Sequence, residues 1–197
     1  MWLIETLPSL SHDIDDFPAI KEHLLSFGYD RLKQTGEGNS RKKSNNKWFE
    51  TQDSISYRDD FFKPKIIYPE ITKYLNFYYD QETFFVNNKC FILTGEYIFF
   101  LTAFLNSSLF KFCFRNNFPE LLGGTRELRK IFFEKIPIKK VNQEIDNSFK
   151  KILLEIQHKK ILKEQTLHLE KKIDNLIFDI YTLTNTEKNL IGFIEIE

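Results

Sequence analysis

Twenty-one phenylalanines and eight tyrosines stand among 197 residues, against seven glycines and six prolines. Each ring removes roughly 150–250 Å² from water when it packs, and a chain that stays extended cannot hide such area. The sequence therefore demands a core. Its length suffices for one ordinary domain, or for one domain with a small helical appendage. Short aromatic and β-branched runs favour strands, whereas Gly- and Pro-free stretches of Glu, Lys, Leu and Ile favour helices. Both kinds of stretch occur, in different parts of the chain.

Residues 1–16 read as an irregular, acidic lead-in. Phe17-Pro18-Ala19-Ile20 opens a short helix, with Pro18 in a first turn that tolerates it, Ile20, Leu24 and Phe27 on the apolar face, and Gly28 as its stop. Residues 31–47 are polar, include Gly36 and Gly38, and predict a flexible loop. Lys65-Ile66-Ile67-Tyr68 predicts a strand ended by Pro69. Phe84-Phe85-Val86 and Cys90-Phe91-Ile92-Leu93-Thr94 flank Asn87-Asn88-Lys89 as the two arms of a hairpin. From Glu96 to about Arg115 the chain is apolar almost throughout, as a buried helix must be, with Asn106-Ser107-Ser108 as a bend or a fresh cap. Residues 116–125 predict a loop, and Lys130-Ile131-Phe132-Phe133 with Ile136-Pro137-Ile138 a closing strand.

Beyond Val141 the composition changes. Residues 141–183 contain no Gly or Pro and predict one long helix or a helical pair. Ile145, Phe149, Ile152, Leu153 and Ile156 mark one buried stripe; Leu169, Ile173, Leu176, Ile177 and Ile180 mark a second. Thr184-Asn185-Thr186-Glu187 caps a last short helix. The expected division is a mixed domain over residues 1–140 followed by a helical segment over 141–197. The fold class is α+β, with short strands and a buried helix ahead of C-terminal helices.

Formal net charge is zero, but the charges are not evenly spread. Residues 1–30 hold six acids and one base. Residues 31–47 hold six bases (Arg31, Lys33, Arg41, Lys42, Lys43 and Lys47) and one acid, Glu37. Residues 111–140 hold eight bases and three acids. Two basic segments in a neutral chain point to a polyanion. Catalytic patterns do not emerge: there is no Gly-rich phosphate loop, no adenosylmethionine-binding glycine motif, no nucleophile elbow, no Asn-Pro-Pro-Tyr and no HExxH. His12, His23, His158 and His168 are not at metal-ligand spacing, and Asp15-Asp16 and Asp59-Asp60 lie in solvated, loop-like sequence. Cys90 and Cys113 have neither metal spacing nor a disulfide framework, which predicts buried thiols in a reducing cytoplasm. The longest apolar run, Tyr97 to Leu105, is too short to span a bilayer, so no membrane association is expected.

Three ordered stretches add to this: Trp48-Phe49-Glu50, Phe62-Lys63-Pro64-Lys65-Ile66-Ile67-Tyr68-Pro69-Glu70-Ile71, and Phe85-Val86-Asn87-Asn88-Lys89-Cys90-Phe91-Ile92-Leu93. Leu105-Asn106-Ser107-Ser108-Leu109-Phe110-Lys111-Phe112, Phe132-Phe133-Glu134-Lys135-Ile136-Pro137-Ile138 and the helical tail from Ile173 to Thr184 continue the series. Together they resemble the TaqI-like C-terminal specificity domain of single-chain (type IIG) restriction–modification enzymes and their adenine-methyltransferase relatives. The resemblance implies a target-recognition module that grips double-stranded DNA while a methyltransferase or nuclease domain, or subunit, does the chemistry on a flipped base. It also implies that S-adenosylmethionine and Mg²⁺ belong to those other domains, with no catalytic residue, metal site or cofactor in this chain. The chain would then be an excised fragment, a split-gene subunit or a remnant of a truncated gene.

Within such a module Trp48, Ile66, Ile67, Phe91 and Ile92 are expected in the core, and the polar positions around them at the DNA. Those expected contacts are Arg41, Lys42, Lys43, Lys47, Lys63, Lys65, Asn88, Lys89, Arg115, Arg126 and Arg129, the lysines at phosphates rather than at bases. The alternative reading is a non-catalytic interaction module that docks a protein partner through its C-terminal helices.

Overall fold

The computed structural model describes residues 3–53 and 55–196. Two compact units emerge, one within residues 1–58 and one within 59–197. The boundary expected near residue 140 falls inside the second unit, because the C-terminal helices share one core with the strands.

The first unit carries two short 3₁₀ turns (Pro8–Leu10 and Ile14–Asp16), α1 (Pro18–Leu25) and α2 (Tyr29–Leu32), followed by a long loop. Gly28, at φ +92°, makes the sharp turn between the helices, a conformation that favours glycine. Only Leu7, Ile14 and Phe49 are buried apolar residues among those described here. Ile20 and Leu24 of α1 turn partly inward, but Phe27 stays out at 52% exposure. Arg58 closes the unit by a two-pronged bond to Glu5, Nε to Oε1 at 2.5 Å and Nη2 to Oε2 at 2.9 Å. Those bonds hold the Glu5 carboxyl below the usual carboxylate range, against a smaller opposing effect of burial.

The second unit is built on β1 (Lys65–Pro69), the middle strand of an antiparallel sheet. β2 (Ile71–Thr72) follows, then β3 (Tyr78–Asp80) and β4 (Cys90–Leu93). Ile66 of β1 sits opposite Tyr79 on β3 and opposite Leu93 on β4. The hairpin expected between 84–86 and 90–94 does not form. The Asp80 carboxylate accepts the N–H groups of Glu82 (2.8 Å) and Phe84 (3.0 Å), which turns the chain out of the sheet. Phe85 then stacks on Phe61, ring centroids 4.7 Å apart.

The apolar stretch after Gly95 forms α3 (Ile98–Asn106) and α4 (Ser108–Asn117), bent by 58° at Ser107. Ser107 re-caps the chain, its Oγ accepting from the Phe110 N–H. Among the described residues no single helix is long and apolar enough to cross a membrane. β5 (Arg126–Glu127) pairs with β2, and α5 (Lys130–Phe133) follows where a strand was expected. Neighbouring strand residues face opposite ways, whereas a helical turn sends Phe132 and Phe133 into one aromatic cluster. Phe132 meets Phe118 at 5.5 Å, and Phe133 meets Tyr68 at 5.1 Å and Phe118 at 5.9 Å.

The pair expected from residue 141 onward is α6 (Gln143–Ile161) and α7 (Leu167–Ile180); α8 (Asn185–Ile191) starts at a capping box between Thr184 and Glu187. α6 packs on α3 with Phe149, Ile152, Leu153 and Ile156 buried. Polar side chains on these helices finish what the backbone leaves open. Asn106 and Gln157 each donate to and accept from the main chain of the β3 segment, at Phe77 and Tyr79 respectively, so the sheet edge is covered. Asp146 accepts the Phe100 N–H at 2.8 Å in the first turn of α3. Asp174 takes the Ser108 N–H at 2.7 Å at the start of α4. Burial pushes the Asp174 carboxyl up, against the Ser108 bonds. The architecture is mixed α+β, as expected.

Candidate nucleic-acid interface

The expected contacts divide between the two units. In the first, the loop after α2 is pinned by its own side chains rather than loose. Gly36, at φ +76°, lets the chain double back so closely that a Cβ there would stand 3.0 Å from Lys43 Cβ. The Gly36 N–H then reaches the Arg41 carbonyl at 3.0 Å, and the Arg41 N–H the Lys33 carbonyl at 2.8 Å. Gln34, buried, donates to the carbonyls of Lys47 (3.0 Å) and Glu50 (2.8 Å). Arg41 points inward: Nε donates to the Leu32 carbonyl at 2.9 Å and Nη2 to that of Trp48. Desolvation lowers its pKa. Arg41 holds the loop, so the loop's outward charge is that of its lysines. Lys42 is exposed, with Asp53 at 3.4 Å; Lys43 is exposed, with no acid in ion-pair range among the described residues. The Lys47 ammonium donates to the His12 carbonyl at 3.0 Å and lies over the Phe49 ring. Trp48 is half-buried between Tyr29 and Phe49.

In the second unit, Lys63 and Lys65 are two residues apart and differ completely. Lys63 is exposed and paired with Asp60 at 2.7 Å, which raises its pKa. Lys65 is 0% exposed, with Nζ 2.5 Å from Asp80 Oδ2 and 2.8 Å from the Phe61 carbonyl. A side chain with no surface has nothing to offer a duplex, and the expectation for Lys65 is corrected: it anchors β1 to β3. Asn88 and Lys89 are exposed in the turn before β4, Lys89 3.8 Å from Glu70. Ile66 is fully buried and Ile67 and Ile92 partly so, but Phe91, expected inside, is 37% exposed. Neither thiol is buried: Cys90 is half-exposed and Cys113 exposed.

Arg115, Arg126 and Arg129 part ways too. Arg129 is exposed and paired with Glu127 at 2.5 Å. Arg126 is held by the Phe118 carbonyl at 2.6 Å and by Glu120 at 3.0 Å. It shares a concave site of about 390 Å³ with Arg115, Lys73 and Lys111, of which Arg115 is exposed in the last turn of α4. Lys73 and Lys111 were not among the expected contacts. The signal that points to Lys73 is its place beside Tyr74, a base next to an aromatic ring. Among the described residues no three His, Cys, Asp or Glu side chains come together as metal ligands, and no buried side-chain polar atom lacks a partner. The buried acids Glu50, Asp80, Asp146, Glu170 and Asp174 all accept backbone N–H groups.

What this arrangement defines is a scaffold of buried aromatics that carries loops bearing lysine, arginine and asparagine. Residues 20–138 match the TaqI-like C-terminal specificity domain, and the chain belongs to that family. Over 181 residues, 91% of its length, the chain is 25% identical to the Type II methyltransferase M.BstVI of Geobacillus stearothermophilus. It spans 30% of that relative's length.

Proposed function

We infer that this chain recognises double-stranded DNA as the target-recognition module of a restriction–modification enzyme, and leaves the chemistry to a methyltransferase or nuclease domain or subunit. The observation that carries the reading is the specificity-domain match, laid over a structure in which the shared apolar motifs form the scaffold and the basic loops remain at the surface. Lys42, Lys43, Lys63 and Lys89 supply point charges for phosphates, and Asn88 presents an amide suited to an adenine edge. S-adenosylmethionine and Mg²⁺ are assigned to the other domains, and the setting to the cytoplasm. The likeness to a Type II methyltransferase three times longer supports this division of labour.

Fluorescence anisotropy with a labelled duplex over a salt series tests it. Affinity should fall steeply between roughly 50 and 200 mM salt if several phosphates are contacted. No binding to any duplex at the lowest salt defeats the reading. Calorimetry with S-adenosylmethionine should show no heat of binding; saturable binding would make the chain part of a catalytic centre.

A second reading is favoured by one observation. The turn between α6 and α7 exposes Ile161 (69%), Leu162 (54%) and Leu167 (41%), apolar residues that a protein partner would cover. In that reading the helices dock the catalytic domain, and the two roles are compatible.

A further inference from the structure

The site shared by Arg115 and Arg126 has a composition that the family match does not explain. Four bases line it: Lys73 from the segment between β2 and β3, Lys111 and Arg115 from α4, and Arg126 from β5. Lys111 and Arg115 are four residues apart and so share one helix face. Glu195 is the acid in the wall, and Glu120 stands outside it, paired with Arg126. Gly124, at φ +78°, leaves its side of the wall without a side chain.

Two of the four cations are fixed. Lys111 is 5% exposed and donates to the Glu195 carbonyl, and Arg126 is clamped by Phe118 and Glu120 over the Phe114 ring. The other two are free to move. Arg115 is exposed with no ion pair among the described residues, and Lys73 is exposed beside the Tyr74 ring at 5.9 Å. Leu75, Phe114 and Ile194 supply an apolar backing, against which field from the fixed charges is less screened than in open water. Glu195 in the wall, Glu120 on Arg126 and Asp174 near Lys111 offset part of this positive charge, and a bound anion would offset what Lys73 and Arg115 leave over. A volume of about 390 Å³ lies within the range on the order of 300–1,000 Å³ typical of ligand sites.

We propose that this site is a phosphate seat, which receives one phosphodiester of the DNA backbone with Lys111 and Arg126 as fixed walls and Lys73 and Arg115 as closing arms. Glu195 opposes the ligand and sets how tightly it is held. The proposal rests on the DNA-recognition reading, but names a contact that reading does not require.

The test uses the full chain and a labelled duplex of mixed sequence across a salt series. The Lys73→Ala/Arg115→Ala double variant should reduce the slope of log affinity against log salt by about 0.9, the contribution of the one phosphate seated, and each single variant by a part of that. Glu195→Gln should tighten binding severalfold at low salt, a gain that a merely structural role does not give. Lys172→Ala, an exposed lysine on α7, should leave the slope unchanged. Inorganic phosphate replacing chloride at constant ionic strength should compete with duplex on the unsubstituted chain more than on the Lys73→Ala/Arg115→Ala double variant.

A double variant that binds duplex with an unchanged slope overturns the seat and leaves DNA recognition standing. Equal slope losses at Lys172 and Arg115 also overturn it, in favour of diffuse charge. Phosphate binding detected without any duplex binding assigns the site to a free phosphate compound, and removes both the seat and the DNA reading. Circular dichroism of each variant confirms the fold, which neither exposed side chain supports.

Discussion

The two units solve the same problem with opposite means. The second hides a phenylalanine-rich core in which Phe77 meets Phe110 and Phe133 edge to face, Phe118 meets Phe133 likewise and Phe110 stacks on Phe133, and its polar groups serve mainly to cap what the core brings together. Among its described residues the first hides three apolar side chains, hangs its loop on Gln34, Arg41 and Ser44, and is closed by the Arg58–Glu5 pair. A core resists by area removed from water, spread over many residues. A clasp resists through a few bonds, each of which counts heavily when lost. The first unit should therefore open at lower cost than the second, and carry its charges on a loop that can adjust to a ligand.

Both tryptophans, Trp2 and Trp48, lie in the first 58 residues, whereas the long helices lie in the second unit. Tryptophan fluorescence and far-UV circular dichroism thus follow the units separately in one urea titration of the full chain.

The largest effect should come from Lys65→Ala. It leaves Asp80 buried without its partner, and the helical transition should lose about 3–5 kcal/mol. A loss under 1 kcal/mol would mean that the pair is not part of what holds the sheet. Arg41→Ala should instead act on the tryptophan transition, by about 1.5–3 kcal/mol for the two bonds from a charged donor, with the helical transition unmoved. Equal shifts in both signals would erase the contrast between clasp and core. Thr184→Ala removes the capping box of α8 and should cost about 1 kcal/mol, read in the helical signal alone.

The smallest effect is one of sign. The Glu5 carboxyl is held below 4.5 in the folded chain, so its contribution is present above that value and is lost as pH falls through the folded pKa. Asp174 is raised above 3.8, so its contribution is full below that value and is lost as pH rises through the folded pKa. On acidification the tryptophan midpoint should fall in urea where the Asp174 contribution to the helical midpoint rises. Parallel movement of the two midpoints with an Asp174→Asn variant as control would break the contrast.

The sequence made local rules easy to read. The stripe from Ile145 to Ile156 and the Thr184–Glu187 box are set by residues within one or two turns of each other, and α6 and α8 form where they were expected. The strand at Lys65–Pro69 was legible from its branched residues and bounding prolines. Lys130–Phe133 was not, because four residues do not distinguish a helical period from a strand, and the decision lies with Tyr68 and Phe118 far along the chain. The site suffered in the same way. Charge can be counted in a sequence, but its direction cannot. Arg41 turns to carbonyls at Leu32 and Trp48, and Lys65 turns to an aspartate fifteen residues away, while Lys43 keeps the outward position expected of it.

Ser107 joins α3 to α4 with no spare residue. One added or deleted position there would rotate every following side chain of α4 by about 100°. Phe110 and Phe114 would swing out of the interior while Arg115 left its concavity. This joint can therefore exchange side chains but not change length. The loop between Gly36 and Arg41 lies at the surface and packs no apolar core, so it can lengthen or shorten without disturbing any helix. Related chains should differ by insertions at the second place and align without gaps at the first.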